Sequence, residues 1–82
     1  MNIEHLVMMA NQIGSFYETM PDHKKAVADI ADHIKKFWEP RMRRALLDHI
    51  DRYSESGQEA PLLPIVMESV QLNRLTLSSV LS

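Results

Sequence analysis

A short basic and aromatic segment near the middle of the chain holds the side chains best suited to binding another molecule. It contains the only Trp, Trp38, a helix-breaking Pro40, and three arginines, Arg41, Arg43 and Arg44. A guanidinium binds carboxylates and phosphates bidentately, and Trp is a frequent anchor in protein interfaces. The segment therefore predicts a contact with an acidic protein surface or with a phosphate.

The positions of nearby acids single out Arg41 among the three arginines. Glu39 lies four residues before Arg43, and Asp48 lies four residues after Arg44, which are the spacings of helical ion pairs. Arg41 has no acid four residues away on either side. We therefore expect its guanidinium to be the one left for a partner, although a solvated basic face is the simpler alternative.

Trp38 also has a purely structural explanation. It closes an apolar stripe on the preceding helix, and a Trp in that position is more often part of the core than of an interface. The two roles are compatible if the ring packs inward while one edge reaches the surface. We keep both for Trp38.

The remaining residue types form no catalytic or metal-binding pattern in the sequence. The four histidines include no His-x-x-x-His pair, and Cys is absent. No nucleophile lies beside a base, and no glycine-rich loop is present. His49 fits the core of the third helix, whereas His33 lies at the edge of the second. Asp48 and Asp51 share a face with Arg44, which disfavours DNA binding.

The first predicted helix has a wider apolar face than a small bundle requires. Asn2 is a suitable cap, and apolar residues recur at helical spacing as far as Met20. Met9 and Phe16 widen the apolar stripe to about half of the circumference. We expect these two side chains to form a shoulder that faces a partner.

The second predicted helix begins after Asp22, a good N-cap that follows the helix-stopping Pro21. Its apolar residues lie on a single face that ends with Phe37 and Trp38. Asp32 precedes Lys36 by four residues, which predicts a favourable ion pair.

Pro40 is expected to begin the third helix, where a missing N–H does no harm. This helix should run to about Tyr53 and stop before Gly57, with Leu47 off its apolar stripe. Pro64 should lie in the first turn of a shorter fourth helix. The pattern predicts an all-α fold, a small compact bundle of three to four helices with short connections and a proline-bent corner between helices two and three.

The totals indicate a single small globular domain. Residues 1–72 are predicted to form one helical domain, and residues 73–82 a C-terminal tail that is either a helical extension or flexible. A net charge of −2 gives no basic field for nucleic acid. Because no apolar run reaches about 18 residues and no signal-like N-terminus is present, we expect a soluble protein that spans no membrane and is not exported.

Several segments resemble the delta subunit of soluble NAD-dependent formate dehydrogenases. The resemblance covers roughly residues 1–72. It is carried by His33, Phe37-Trp38-Glu39-Pro40-Arg41-Met42-Arg43, Leu6-Val7-Met8-Met9-Ala10-Asn11-Gln12-Ile13 and Leu62-Leu63-Pro64-Ile65-Val66.

This resemblance implies a small non-catalytic subunit of a cytoplasmic bacterial enzyme that oxidises formate and reduces NAD. The larger subunits of such enzymes hold a molybdenum or tungsten pterin centre, iron–sulfur clusters and FMN. The delta subunit would hold no cofactor and would dock on the large catalytic subunit, supporting assembly or stability. We expect the basic and aromatic segment and the wide stripe of the first helix to contact the partner. The predicted partner-binding residues are Trp38, Pro40, Arg41, Arg43, Arg44, Met9 and Phe16.

Two other functions fit the same residues. A transient maturation chaperone would assist insertion of the anionic molybdopterin cofactor and then leave. A self-associating regulatory module would use the wide stripe of the first helix to form a homodimer.

Overall fold

The structure, a computed structural model, describes residues 2–79 and is all-α, as the sequence predicts. The described residues form five helices: α1 (Ile3–Tyr17), α2 (His23–Phe37), α3 (Pro40–Glu55), α4 (Pro64–Leu72) and α5 (Arg74–Ser78). Helix α1 packs against α2, α3 and α4, while α5 packs against α2 and α3. None of these helices has the length and apolar character needed to pass through a lipid bilayer.

The predicted helix starts are confirmed. The side chains of Asn2 and Asp22 each accept a hydrogen bond from the backbone N–H three residues further on, and both lie in extended backbone. Pro40 and Pro64 are the first residues of α3 and α4. Local sequence chemistry therefore sets where each of these four helices begins.

Two helix ends differ from the predictions. Helix α1 ends at Tyr17 rather than at Met20, and Pro21 disfavours a helical conformation for Met20 itself. Helix α3 runs past Tyr53 to Glu55.

Gly57 explains the later end of α3. It has a φ of +76°, a left-handed conformation that Gly adopts readily. The N–H of Gln58 donates to the carbonyl of Tyr53 at 2.9 Å, and that of Gly57 donates to Ser54 at 3.1 Å. These two hydrogen bonds form a Schellman motif, which satisfies carbonyls of the last helical turn.

The core lies between the helices and draws residues from all five. Its most completely buried large side chains are Ile30, Ile34, Leu46, Ile50 and Leu77. Leu47, predicted to lie off the main stripe, is also buried. Because α1 and α5 both pack against α3, its buried sector is wider than one narrow stripe.

Helices α1 and α4 approach closely at Gly14. A Cβ at this position would collide with Cγ2 of Val66, so only Gly fits without movement. One turn earlier, the Asn11 amide donates to the carbonyl of Pro61 at 3.0 Å and accepts from the N–H of Leu63 at 2.9 Å. These contacts fix the loop before α4 against α1.

Part of the predicted tail is helical. Asn73 separates α4 from α5, and Leu77 of α5 is 2% exposed. Residues 80–82 of the tail lie outside the described residues. The division of the chain at residues 72 and 73 stays a prediction.

Candidate docking surface

The proline corner joins α2 to α3 through two residues in extended conformation. Helix α2 ends at Phe37, and α3 begins at Pro40. The two residues between them, Trp38 and Glu39, have ψ values of 139° and 151°. The backbone changes from helical at Phe37 to extended at Trp38, and the side chains of these two adjacent aromatic residues therefore point in different directions. Trp38 is 5% exposed, whereas Phe37 is 72% exposed.

The exposure of Phe37 corrects the prediction that it shares the buried face of α2. Its ring packs on the imidazole of His33, one turn earlier, with ring centroids 4.7 Å apart. No apolar side chain of the described fold covers Phe37, which therefore remains exposed to solvent.

Arg43 points inward and is 2% exposed. Its two terminal nitrogens donate to the carbonyl oxygens of Lys35 at 3.1 Å and Ser79 at 3.0 Å. The Lys35 carbonyl belongs to the last turn of α2, where helical partners are missing and cations are favoured. The predicted pairing of Arg43 with Glu39 is wrong, and its guanidinium holds the corner and the C-terminal segment together.

Arg41 points outward, as the sequence predicts, but it is not without an acid. Its Nη2 lies 3.8 Å from Oε2 of Glu39, a pairing at two residues' distance that the helical spacing rule does not include. Both side chains are more than 70% exposed, so solvent weakens this contact. Arg44 is also exposed, and its predicted ion pair with Asp48 is not found within residues 2–79. The predicted pair of Asp32 and Lys36 is confirmed at 3.0 Å.

An apolar groove of about 460 Å³ lies between α1 and the proline corner, and we name it the aromatic groove. Its α1 wall consists of Met9, Gln12, Ile13, Phe16 and Tyr17. Its other wall consists of His33, Phe37, Trp38 and Met42. Phe16 is 63% exposed, so an exposed phenylalanine lies on each wall.

The groove brings together three of the residues selected from sequence, Met9, Phe16 and Trp38. Arg41 borders a second depression that shares Met9 and Met42 with the groove. Pro40 and Arg44 line neither cavity. The structure thus joins the apolar shoulder of α1 to the corner, a proximity that the sequence does not show.

The groove walls offer little acid–base chemistry. Their titratable side chains are His33 and Tyr17, and no carboxylate lines the groove. No group of three or more His, Asp or Glu residues suited to a metal ion occurs in the described part of the chain. The arrangement is best suited to binding an apolar side chain.

Comparison with protein-family models matches residues 5–70 to the family described as NADH-dependant formate dehydrogenase delta subunit FdsD. The chain belongs to this family. The match includes every residue that lines the aromatic groove, and α5 lies beyond it. Comparisons with curated proteins and with solved structures found no match.

The delta-subunit chain therefore carries functional candidates that sequence reasoning missed, and the most exposed of them is Phe37. It was assigned to the core because it continues the apolar stripe of α2. Phe37 lies in the last turn of α2, four residues after His33, which is at the edge of the apolar stripe, and two residues before the charged Glu39. These neighbours could have indicated that its side chain is exposed. Gln12, Ile13 and Met42 became candidates only when the structure placed them on the groove.

Proposed function

We propose that this chain is a non-catalytic accessory subunit of a soluble NAD-dependent formate dehydrogenase, which docks on the large molybdopterin-containing subunit and supports assembly or stability. The proposal places it in the bacterial cytoplasm with that enzyme. Family membership supports a place in the enzyme complex. The observation that carries docking is the aromatic groove, with exposed Phe16 and Phe37 on its two walls.

The groove is suited to a protein partner for a physical reason. Burying apolar surface contributes about 25 cal/mol per Å², so two exposed phenylalanines beside one concavity provide a concentrated source of binding energy. Two methionines, Met9 and Met42, also line the groove and can adapt their conformations to a bound side chain. Small helical domains expose single apolar residues without consequence, but an aromatic pair across a groove resembles a binding site.

A non-catalytic role agrees with the character of this site. General acid–base catalysis needs titratable groups within hydrogen-bond reach of a substrate. The groove presents one imidazole and one phenol on largely apolar walls. We therefore assign the chemistry of formate oxidation to the larger subunits and a binding role to this chain.

Co-purification tests the proposal. The tagged chain is produced together with the other formate dehydrogenase subunits, and the purified material is analysed for subunit stoichiometry and bound molybdopterin. One copy per large subunit in active enzyme is the expected result. Enrichment on cofactor-free large subunit would instead identify a maturation chaperone, and recovery of the chain with itself alone would identify a self-associating module.

A second measurement separates the assembly role from simple attachment. The enzyme is produced with and without this chain, and cofactor content and thermal inactivation rate are compared. We expect the enzyme lacking the chain to contain less cofactor or to lose activity faster. Equal values for the two preparations would contradict a role in assembly or stability.

A further inference from the structure

We propose that the occupant of the aromatic groove is a segment of the large subunit that presents a large apolar side chain and, beside it, a carboxylate that pairs with Arg41. This inference rests on the proposed function and specifies the chemistry of the partner. It combines the shape of the groove with the distribution of charge around it.

The apolar part of the occupant follows from the groove itself. A volume of about 460 Å³ lies within the range of ordinary ligand cavities and accommodates one or two large side chains. Ile13, Trp38 and Met42 provide apolar surface, and Phe16 and Phe37 flank it. Grooves of this kind between helices receive the apolar anchors of a partner helix.

The carboxylate follows from the charges at the rim. Helix α1 contains no Lys or Arg, so its wall of the groove carries no permanent positive charge. Arg41 is the arginine that borders the adjoining depression, where Met9 and Met42 continue the groove. Its contact with Glu39 is long, at 3.8 Å, and exposed, so a buried carboxylate from a partner can replace it.

The first turn of α3 adds to this preference for a negative charge. It contains no acidic residue, and the carboxylate of the N-cap residue, Glu39, makes no capping hydrogen bond and lies 71% exposed beside Arg41. The positive end of the α3 dipole therefore lies beside Arg41. A carboxylate next to the apolar anchor would interact favourably with both, whereas a purely apolar partner would leave Arg41 facing an uncharged surface.

Binding measurements with matched variants test the inference. The full chain is titrated against the remaining formate dehydrogenase subunits, purified from cells that lack the chain, at low and at high salt. The variants are Phe37→Ala and Arg41→Gln. The controls are Leu75→Ala, an apolar side chain 88% exposed on α5, and Arg52→Gln, an exposed arginine of α3 outside both cavities.

The expected results are distinct for each variant. Phe37→Ala should raise Kd by about tenfold or more, as for an interface anchor. Arg41→Gln should raise Kd by a few-fold at low salt and should flatten the salt dependence, because it removes a screened charge pair. Both controls should stay within about twofold of the wild type, and circular dichroism should show that all four variants are folded.

The contrary outcomes separate the two proposals. If the wild-type chain binds but Phe37→Ala binds equally well, the groove is not the docking site, although the accessory function stands. If Arg41→Gln keeps both the affinity and the salt dependence of the wild type, the carboxylate is excluded. If Phe37→Ala abolishes self-association in sedimentation while binding to the complex is unchanged, the occupant is a second copy. If the wild type does not bind at all, the function and the inference both fail.

A photoreactive residue at position 37 provides an independent identification of the occupant. Cross-linking to the large subunit at a segment with Asp or Glu within about one helical turn of a large apolar residue is the expected result. A cross-linked segment without an acid in that range would overturn the carboxylate, and cross-linking only between copies of this chain would overturn the assignment to the large subunit.

Discussion

The inward and outward sides of the proline corner use similar residues for different purposes. Phe37 and Trp38 are adjacent aromatics, yet the first is 72% exposed and the second 5%. Arg41 and Arg43 are close neighbours on one helix, yet the first is exposed and the second is 2% exposed. Residue type alone therefore does not distinguish a structural side chain from one available to a partner.

Direction relative to the packed helices makes the distinction. Residues two apart on a helix point about 200° from each other, so Arg41 and Arg43 must lie on opposite sides of α3. Helix α1 repeats the pattern with two neighbouring amides. Asn11 is half-buried and bonded to the loop before α4, whereas Gln12 is exposed on the wall of the aromatic groove. The corner thus provides two like pairs and α1 provides one, and each pair has an inward and an outward member.

The aromatic pair should give the largest difference between the two sides. Trp38→Ala removes a buried ring from the core and should lower the free energy of unfolding by about 3–5 kcal/mol, which approaches the whole stability of a domain this small. Phe37→Ala should change it by no more than about 0.5 kcal/mol. Urea unfolding followed by circular dichroism measures both values. Equal losses in the two variants would show that Phe37 is part of the core.

The arginine pair should show a smaller contrast. Arg43→Met keeps much of the apolar stem but leaves the carbonyls of Lys35 and Ser79 without their guanidinium donor, which should cost about 1–3 kcal/mol of unfolding free energy. Arg41→Met should be nearly neutral, because its contact with Glu39 is exposed. Thermal or urea unfolding compares them. A stable Arg43→Met variant would mean that the stem of Arg43, rather than its charge, supports the corner.

The amide pair should give the next largest contrast in the free energy of unfolding. Asn11→Ala removes two hydrogen bonds to the backbone at Pro61 and Leu63 and should lower the free energy of unfolding by about 1 kcal/mol. Gln12→Ala should leave it unchanged or slightly higher, because Ala favours the helix and Gln12 is exposed. Hydrogen exchange of the Leu63 amide gives a local measurement. If that amide stays protected in the Asn11→Ala variant, the Asn11 side chain does not hold the loop before α4 in place.

The sequence was sufficient for the features that depend on local chemistry. Caps at Asn2 and Asp22 and first-turn prolines at Pro40 and Pro64 were predicted because each acts within one turn of the helix that it begins. The glycine stop after α3 was predicted for the same reason. Helix type and order followed from these signals and from apolar periodicity.

The sequence was insufficient where a residue's role depends on distant neighbours. Arg43 was assigned to Glu39 because helical spacing was the available rule, but its hydrogen bonds go to α2 and to Ser79, 36 residues away. Apolar periodicity assigns Phe37 to the core because it shows which residues of α2 share a face. It does not show how far along that face α1 extends to cover them. The aromatic groove requires α1 and the corner to meet, and no pattern within either segment indicates that approach.

The outward-facing ion pair on α2 should give the smallest effect. Asp32 and Lys36 lie 3.0 Å apart, with side chains 57% and 66% exposed, so Lys36→Ala should lower the free energy of unfolding by only about 0.2–0.5 kcal/mol. Lys24→Ala, at an exposed position near the start of α2, is the matched control.

The difference in unfolding free energy between these two lysine variants should disappear at high salt, because salt screens the attraction between exposed charges. Urea unfolding at two salt concentrations measures this difference. Persistence of the difference at high salt would assign the effect to packing of the Lys36 stem beside Phe37. In that case the outward side of the corner would also contribute to the fold. The separation of inward structural residues from outward binding residues would then hold for Phe37 and Arg41 but not for the last turn of α2 as a whole.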